Sequence, residues 1–217
     1  MITDKNVLPL FAIPLCRTNI GAVSEDTEHY LKQKIEYTQQ RQNSHNSKNL
    51  NILDDPKCVQ LKQQIHTQLM DFLHYLDVNT DQQQFYITTS WMNKYSAQQT
   101  SHEHYHSNSL ISGVLYFDDC EETAGVTFHK RQGWDNLFQD TVNVDHNPVT
   151  DQNKMSYVYH HRTITIQPSR WDLILFPSVL NHSVPANLHP DRERYSLAFN
   201  SFLKGHVGDS GSRLEIN

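Results

Sequence analysis

The chain has 217 residues, 37% of them apolar and 19% charged, with a net charge of -6 and no block of like charges. That is enough chain for one domain with a full hydrophobic core. The acidic balance argues against a nucleic-acid partner, which needs basic patches to neutralise phosphates. Three widely spaced cysteines, Cys16, Cys58 and Cys120, form no CxxC pair, which excludes a disulfide framework and a structural zinc site and points to a reducing compartment.

The N-terminal run VLPLFAIPLC (7–16) is too short to span a membrane, and two prolines interrupt it. With little basic charge before it and Leu15 directly ahead of Cys16, it makes a poor signal sequence, and the expected location is cytoplasmic. It reads as an edge strand. Ser24 is placed to cap a helix running to about Gln40, with Leu31 and Ile35 as a thin apolar stripe. The polar stretch 39–51 reads as a mobile loop. A second helix is better signalled. Asp55 caps it, Pro56 starts it, and Cys58, Leu61, Ile65, Leu69, Phe72 and Leu76 recur at three- and four-residue steps.

After Asn79 the period becomes that of strands, expected at 85–95, 98–106, 110–118, 125–130, 157–167, 172–177, 182–186 and 194–203. Helices followed by many short strands imply an α+β chain, a β-sandwich backed by helices. The aperiodic stretch 131–156 carries Trp134, Leu137 and Phe138 and reads as a lid or a surface excursion. The expected organisation is one domain over 1–217, with a strand and helices in 1–80 and the β core in 81–205.

Three features carry chemistry. His104 and His106 are two apart, so on a strand both imidazoles share a face, about 6.7 Å apart at the backbone. His182 arrives from a distant strand after FPSVLN, and a third ligand from elsewhere is what a facial metal site needs. A cluster of surface histidines is the plainer alternative, since the chain has 14. Finally, RYSLAFNSFL (194–203) alternates, with Tyr195, Leu197, Phe199 and Leu203 on the core face and Arg194, Ser196, Ala198 and Asn200 on the other. An inward arginine is costly without an anionic partner. Arg194 with Ser196 can hold a carboxylate, the alternative being an ion pair with a core acid.

In order, these parts include Trp91 and Asn93; His104 and His106; Ser112, Gly113, Val114 and Tyr116; Phe176, Pro177 and Ser178; His182 and Val184; and Arg194, Ser196, Phe199 and Asn200. The arrangement resembles the 2-oxoglutarate/Fe(II) dioxygenases built on a double-stranded β-helix, over residues 91–202. The resemblance implies a jelly-roll (cupin-like) fold. It implies Fe(II) held by His104, His106 and His182, and 2-oxoglutarate anchored by Arg194 and Ser196. It puts Asn93, Tyr116 and Asn200 among the cofactor-binding positions. The implied reaction consumes O2, releases succinate and CO2, and hydroxylates a small-molecule or peptide substrate. No membrane partner is expected, and oligomeric state is left open.

Two departures stand out. His106 occupies a position where most of that superfamily has Asp or Glu, and Trp171 precedes strand 172–176 where related sequences often have Gly. A second register, His102 with His104, shares the same strand face. Two rival functions remain at this point: a three-histidine cupin-like dioxygenase without 2-oxoglutarate, and a non-catalytic jelly-roll binding module.

Overall fold

The computed structural model describes residues 12–39, 44–81, 83–120, 125–130, 162–209 and 211–217. The expected lid at 131–156 and the start of the expected first strand lie outside them. Twelve strands are described: β1 (Cys16–Asn19), β2 (Tyr37–Gln39), β3 (His45–Ser47), β4 (Gln83–Tyr95), β5 (Ser101–His104), β6 (Ile111–Tyr116), β7 (Val126–His129), β8 (Thr163–Ile166), β9 (Asp172–Pro177), β10 (His182–Val184), β11 (Arg194–Val207) and β12 (Leu214–Ile216). The larger sheet has the order β1-β9-β6-β11-β4-β3-β2, with β12 paired to β11; the smaller has the order β5-β10-β7-β8. Every ladder between these strands is antiparallel. The fold is a double-stranded β-helix, a jelly roll with helices on one outer face.

The helices follow their signals unevenly. Ser24 caps α1 (Glu25–His29) by accepting from the Thr27 N–H, but the helix runs only through a π-helical turn at Tyr30–Lys34. Ile35 then turns extended, and the Tyr37 hydroxyl donates to the Leu31 carbonyl at 2.9 Å, satisfying an acceptor left open at the helix end. The chain continues into a β2–β3 hairpin, where a loop was expected. The second helix, α2 (Val59–Tyr75), is preceded by a 3-10 turn at Pro56–Cys58 whose Lys57 N–H bonds to the Asp55 carboxylate. Its buried Leu61, Ile65, Leu69, Phe72 and Leu73 pack on Met92, Leu115, Leu173, Leu175, Leu197 and Phe199 of the larger sheet.

Alternation in the sheet separates this core from the sandwich interior. On β11, Tyr195, Leu197 and Phe199 join the helix-side core, while Arg194, Ser196 and Ala198 face between the sheets. The β11–β4 register slips at Asn200/Ser201, leaving Thr88 as an extra residue on β4. Gly113 of β6 has no room for a side chain, because a Cβ there would sit 2.4 Å from the Phe199 ring. Between the sheets lies a smaller apolar cluster of Tyr116, Cys120, Val126, Phe128, Ile174 and Phe176. The open end of that interior is polar.

Candidate active site

Cross-strand register places the chemistry. Ser196 of β11 pairs with Asn93 of β4 on one side and Tyr116 of β6 on the other, and Arg194 pairs with Tyr95. On the smaller sheet, His182 of β10 is directly opposite His104 of β5. His106 lies just past β5, and its backbone N–H donates to the Ser178 carbonyl at 2.9 Å. These residues line one cavity of about 610 Å³, whose wall also includes Trp91, Ser44, Asn46, Ser101 and His102. No carboxylate stands in that wall among the described residues.

The three histidines converge. One ring nitrogen from each of His104, His106 and His182 lies within 4.8 Å of the others. Each ring uses Nδ1 elsewhere: His104 towards the His102 carbonyl at 2.8 Å, His182 towards the Leu180 carbonyl at 3.0 Å, and His106 towards Asn200 Oδ1 at 2.5 Å. Backbone carbonyls only accept, so Nδ1 carries the proton on His104 and His182 and Nε2 keeps its lone pair, while His106 Nδ1 also lies 2.9 Å from Ser112 Oγ. Burial holds all three rings below the ordinary histidine range, His182 down to about 3. They are neutral at physiological pH, the state a metal ligand needs. Phe176 packs edge-on against His182 with ring centroids 4.9 Å apart. His102 also lines the cavity, 5.3 Å from the His104 ring, but is not part of the convergent set.

Arg194 is the second pole of the site. It is 1% exposed, yet its Nε and Nη1 meet no hydrogen-bond acceptor. Its guanidinium lies 4.5 Å from the Tyr95 ring centroid, which supports the charge from one face without neutralising it. A buried guanidinium with empty donors is stable only if something anionic completes it. Beside it, Ser196 Oγ has a long contact of 3.5 Å with Asn93 Nδ2, and Asn93 Oδ1 accepts from Trp91 Nε1 at 3.0 Å. Burial raises the Tyr116 phenol above its usual range, so it stays a neutral hydroxyl. The donor set therefore fits both groups: three imidazole nitrogens for a divalent metal, and a buried guanidinium with open donors for a carboxylate.

Of the residues the sequence singled out, His104, His106, His182, Arg194, Ser196, Asn93 and Tyr116 share the cavity. Asn200 reaches the site through His106 instead of through the wall. Ser44, Asn46, Tyr95 and Ser101 were not anticipated. Tyr95 was within reach, since it continues the alternation of Trp91 and Asn93.

A jelly roll with three convergent histidines able to hold a metal ion, and a buried arginine with two open donors among the described residues, is an arrangement suited to a metal-dependent enzyme. Residues 89–200, just over half of the chain, match a family model described as "Putative 2OG-Fe(II) oxygenase", and the chain belongs to that family. It is an oxidoreductase whose cofactors are Fe(II) and the co-substrate 2-oxoglutarate. Among solved structures, HygX from Streptomyces hygroscopicus with nickel, 2-oxoglutarate and hygromycin B is similar at 9% identity and a TM-score of 0.56, over 87% of this chain and 82% of that one. A prolyl-4-hydroxylase from Pseudomonas putida is similar at 15% identity and 0.53, over 88% and 94%. A prolyl hydroxylase from Trichoplax adhaerens, in complex with a hypoxia inducible factor peptide fragment, is similar at 13% and 0.50, over 87% and 83%. At these identities the likeness is one of fold. No curated protein matches the sequence.

Proposed function

We propose that this chain is a hydroxylase in which His104, His106 and His182 hold Fe(II) through Nε2, and Arg194 with Ser196 holds the far carboxylate of 2-oxoglutarate. The observation that carries the reading is the buried guanidinium of Arg194, whose Nε and Nη1 have no acceptor among the described residues, on the wall of the cavity where the histidines converge. A three-histidine enzyme working without 2-oxoglutarate gives that cation an occupant only if its substrate carries a carboxylate, and a non-catalytic binding module only if its ligand is an anion. When bound, the metal and co-substrate supply the oxidising power: O2 is reduced as 2-oxoglutarate loses CO2 and becomes succinate, and one oxygen atom enters a substrate C–H bond.

The protein's own residues bind, orient and exclude water. The Nδ1–H bonds of His104 and His182 to the carbonyls two residues back, His102 and Leu180, aim Nε2 inward. Phe176 and Phe128 lie within 6.1 Å of the His182 ring centroid and close the floor to water. Tyr116 and Asn93 flank Ser196 in register and offer neutral hydrogen bonds to a carboxylate that Arg194 grips. A cavity of about 610 Å³ must hold the co-substrate and the reacting part of the substrate. That suits a small molecule or one side chain of a peptide, the two kinds of ligand that accompany HygX and the Trichoplax enzyme. Among the described residues no helix is long and apolar enough to cross a membrane. The thiols of Cys16 and Cys58, which form no disulfide, support a reducing, cytoplasmic setting.

Anaerobic titration of the Fe(II)-loaded protein with 2-oxoglutarate tests the proposal. It should develop the visible charge-transfer band of chelated iron, and admission of O2 should release succinate. Protein that takes up Fe(II) but shows neither signal is a three-histidine enzyme of another type. Protein that takes up no metal is a binding module.

A further inference from the structure

Behind His106 lies a run of buried hydroxyls that the family assignment leaves unexplained. Ser109, Ser112 and Ser178 are 9%, 0% and 0% exposed, and hydroxyls that deep persist only when satisfied. They satisfy one another. Ser109 and Ser178 hydroxyls are 2.7 Å apart, Ser178 and Ser112 are 2.8 Å apart, and Ser112 Oγ donates to Asn200 Oδ1 at 2.8 Å. The series ends on the oxygen that faces His106 Nδ1 at 2.5 Å, and Ser112 Oγ, its proton given to that oxygen, lies 2.9 Å from the same nitrogen as a second acceptor. The other end of the amide, Asn200 Nδ2, donates to Thr89 Oγ1 at 3.2 Å.

We propose that Asn200 is a positioning residue that selects the Nδ1–H tautomer of His106, and that the serine series holds the amide in the orientation that does so. An amide oxygen only accepts, so in this orientation His106 Nδ1 must be the donor. Turned over, the amide would donate to Nδ1, and the His106 proton would move to Nε2, where it would block a metal. Ser112 prevents that turn by filling the second lone pair of Oδ1, with Ser178 and Ser109 fixing the direction of its proton. The device matters because, among the described residues, no acid lines the cavity. The electron donation that a carboxylate would give His106 comes from a neutral amide instead. The metal consequence rests on His106 being a ligand; the tautomer consequence does not.

Ring-nitrogen shifts from long-range 1H–15N correlation on the metal-free protein read the tautomer directly, and zinc titration by calorimetry reads affinity. Wild type should show His106 protonated at Nδ1. Asn200→Ala should give mixed tautomers at His106 while His104 and His182 keep theirs, because backbone carbonyls hold those rings. Zinc affinity should fall about tenfold to a hundredfold. Asn200→Asp, nearly the same shape, should keep the tautomer and bind zinc at least as tightly as wild type. Ser178→Ala, which breaks the series while keeping the Ser178 carbonyl that accepts the His106 N–H, should shift the tautomer part of the way. An Nε2–H proton on His106 in wild type overturns the proposal without any variant, as does Asn200→Ala with an unchanged tautomer. A correct tautomer pattern in protein that binds no zinc removes the ligand reading and leaves the positioning one standing.

Discussion

The guanidinium of Arg194 lies 4.5 Å from the Tyr95 ring centroid, with Nε and Nη1 pointing at no acceptor. The aromatic face stabilises the cation but fills neither of these two hydrogen bonds, and whether an anion does so can be tested directly. Arg194→Lys keeps charge but loses the fork and should bind 2-oxoglutarate weakly; Arg194→Ala should hardly bind it. A lost charged hydrogen bond costs roughly 1.5–3 kcal/mol, about tenfold to a hundredfold in affinity. Ser196→Ala should lie at or below the low end. Iron uptake should survive in all three, and the same anaerobic titration measures each. Unchanged 2-oxoglutarate affinity in Arg194→Ala would remove Arg194 as the anchor.

His104→Ala and His182→Ala should both lose stoichiometric Fe(II), measured by metal analysis after loading and desalting. Their stabilities should differ. His104 is partly exposed, whereas His182 is 4% exposed and packed on Phe176. Thermal melting of the metal-free proteins should therefore show a loss of about 1–3 kcal/mol for His182→Ala and little for His104→Ala. Full metal occupancy in either variant would show that the residue is not a ligand.

Trp171 adopts φ +69, a left-handed conformation that a bulky residue rarely takes. Its ring packs edge-on against Phe117 with centroids 5.5 Å apart and lies under the Arg170 guanidinium at 4.5 Å, which offsets strain of about 1–2 kcal/mol. Trp171→Gly loses the ring but also the strain, while Trp171→Ala loses only the ring. Denaturant midpoints should place the glycine variant above the alanine variant by about 1 kcal/mol and both below wild type. The opposite order would mean that the turn relaxes.

Asp172 ties β1 to β9. Burial works to raise its pKa, but the Ser169 N–H at 2.9 Å, Asn19 at 2.9 Å and Arg17 at 2.8 Å together hold it below the ordinary carboxylate range. A depressed folded pKa contributes stability that is fully present above about pH 4 and is lost as pH falls through the folded value. Asp172→Asn should thus be less stable than wild type at pH 7, by about 1–3 kcal/mol, with the gap narrowing towards pH 3. Urea midpoints at the two pH values measure it. An equal gap at both would detach the effect from ionisation.

A Cβ at position 113 would lie 2.4 Å from the Phe199 ring and 2.9 Å from Leu175 Cδ2, both residues being fully buried. Gly113→Ala should cost about 1–3 kcal/mol of stability by overpacking. A wild-type melting temperature in that variant would mean that the core gives way at no cost.

What could be read in advance depended on periodicity. The α2 stripe and the two faces of β11 were legible because a helix and a strand each repeat over several turns or pairs. The inward Arg194 and Ser196 were visible for the same reason. The β2–β3 hairpin was not, because its residues face a polar cavity: Asn46 lines it, and Ser47 Oγ accepts the Met92 N–H at 3.0 Å. A strand with polar work on both faces looks like a loop. The early end of the first helix depended on the Tyr37 hydroxyl reaching Leu31, a contact no local pattern encodes. Ser112 and Ser178 stood inside recognisable motifs, but Ser112 joins Ser178 and Asn200, 66 and 88 residues away, only in three dimensions.

The extra residue at Thr88 resets the parity of β4. On its N-terminal side the odd positions Phe85 and Ile87 belong to the helix-side core; beyond it the even position Met92 does, which frees odd-numbered Trp91, Asn93 and Tyr95 for the cavity. Thr88 Oγ1 donates to the Asn200 carbonyl at 3.2 Å where the register slips. The strand is thus two half-strands of opposite sense joined at one residue. Removing Thr88 would force a choice between keeping the core and keeping the cavity wall, whereas loss of a two-residue step within either half would preserve both facings. In this chain the length of β4 is constrained in units of two, and oxygenase chemistry and folding are coupled through the count.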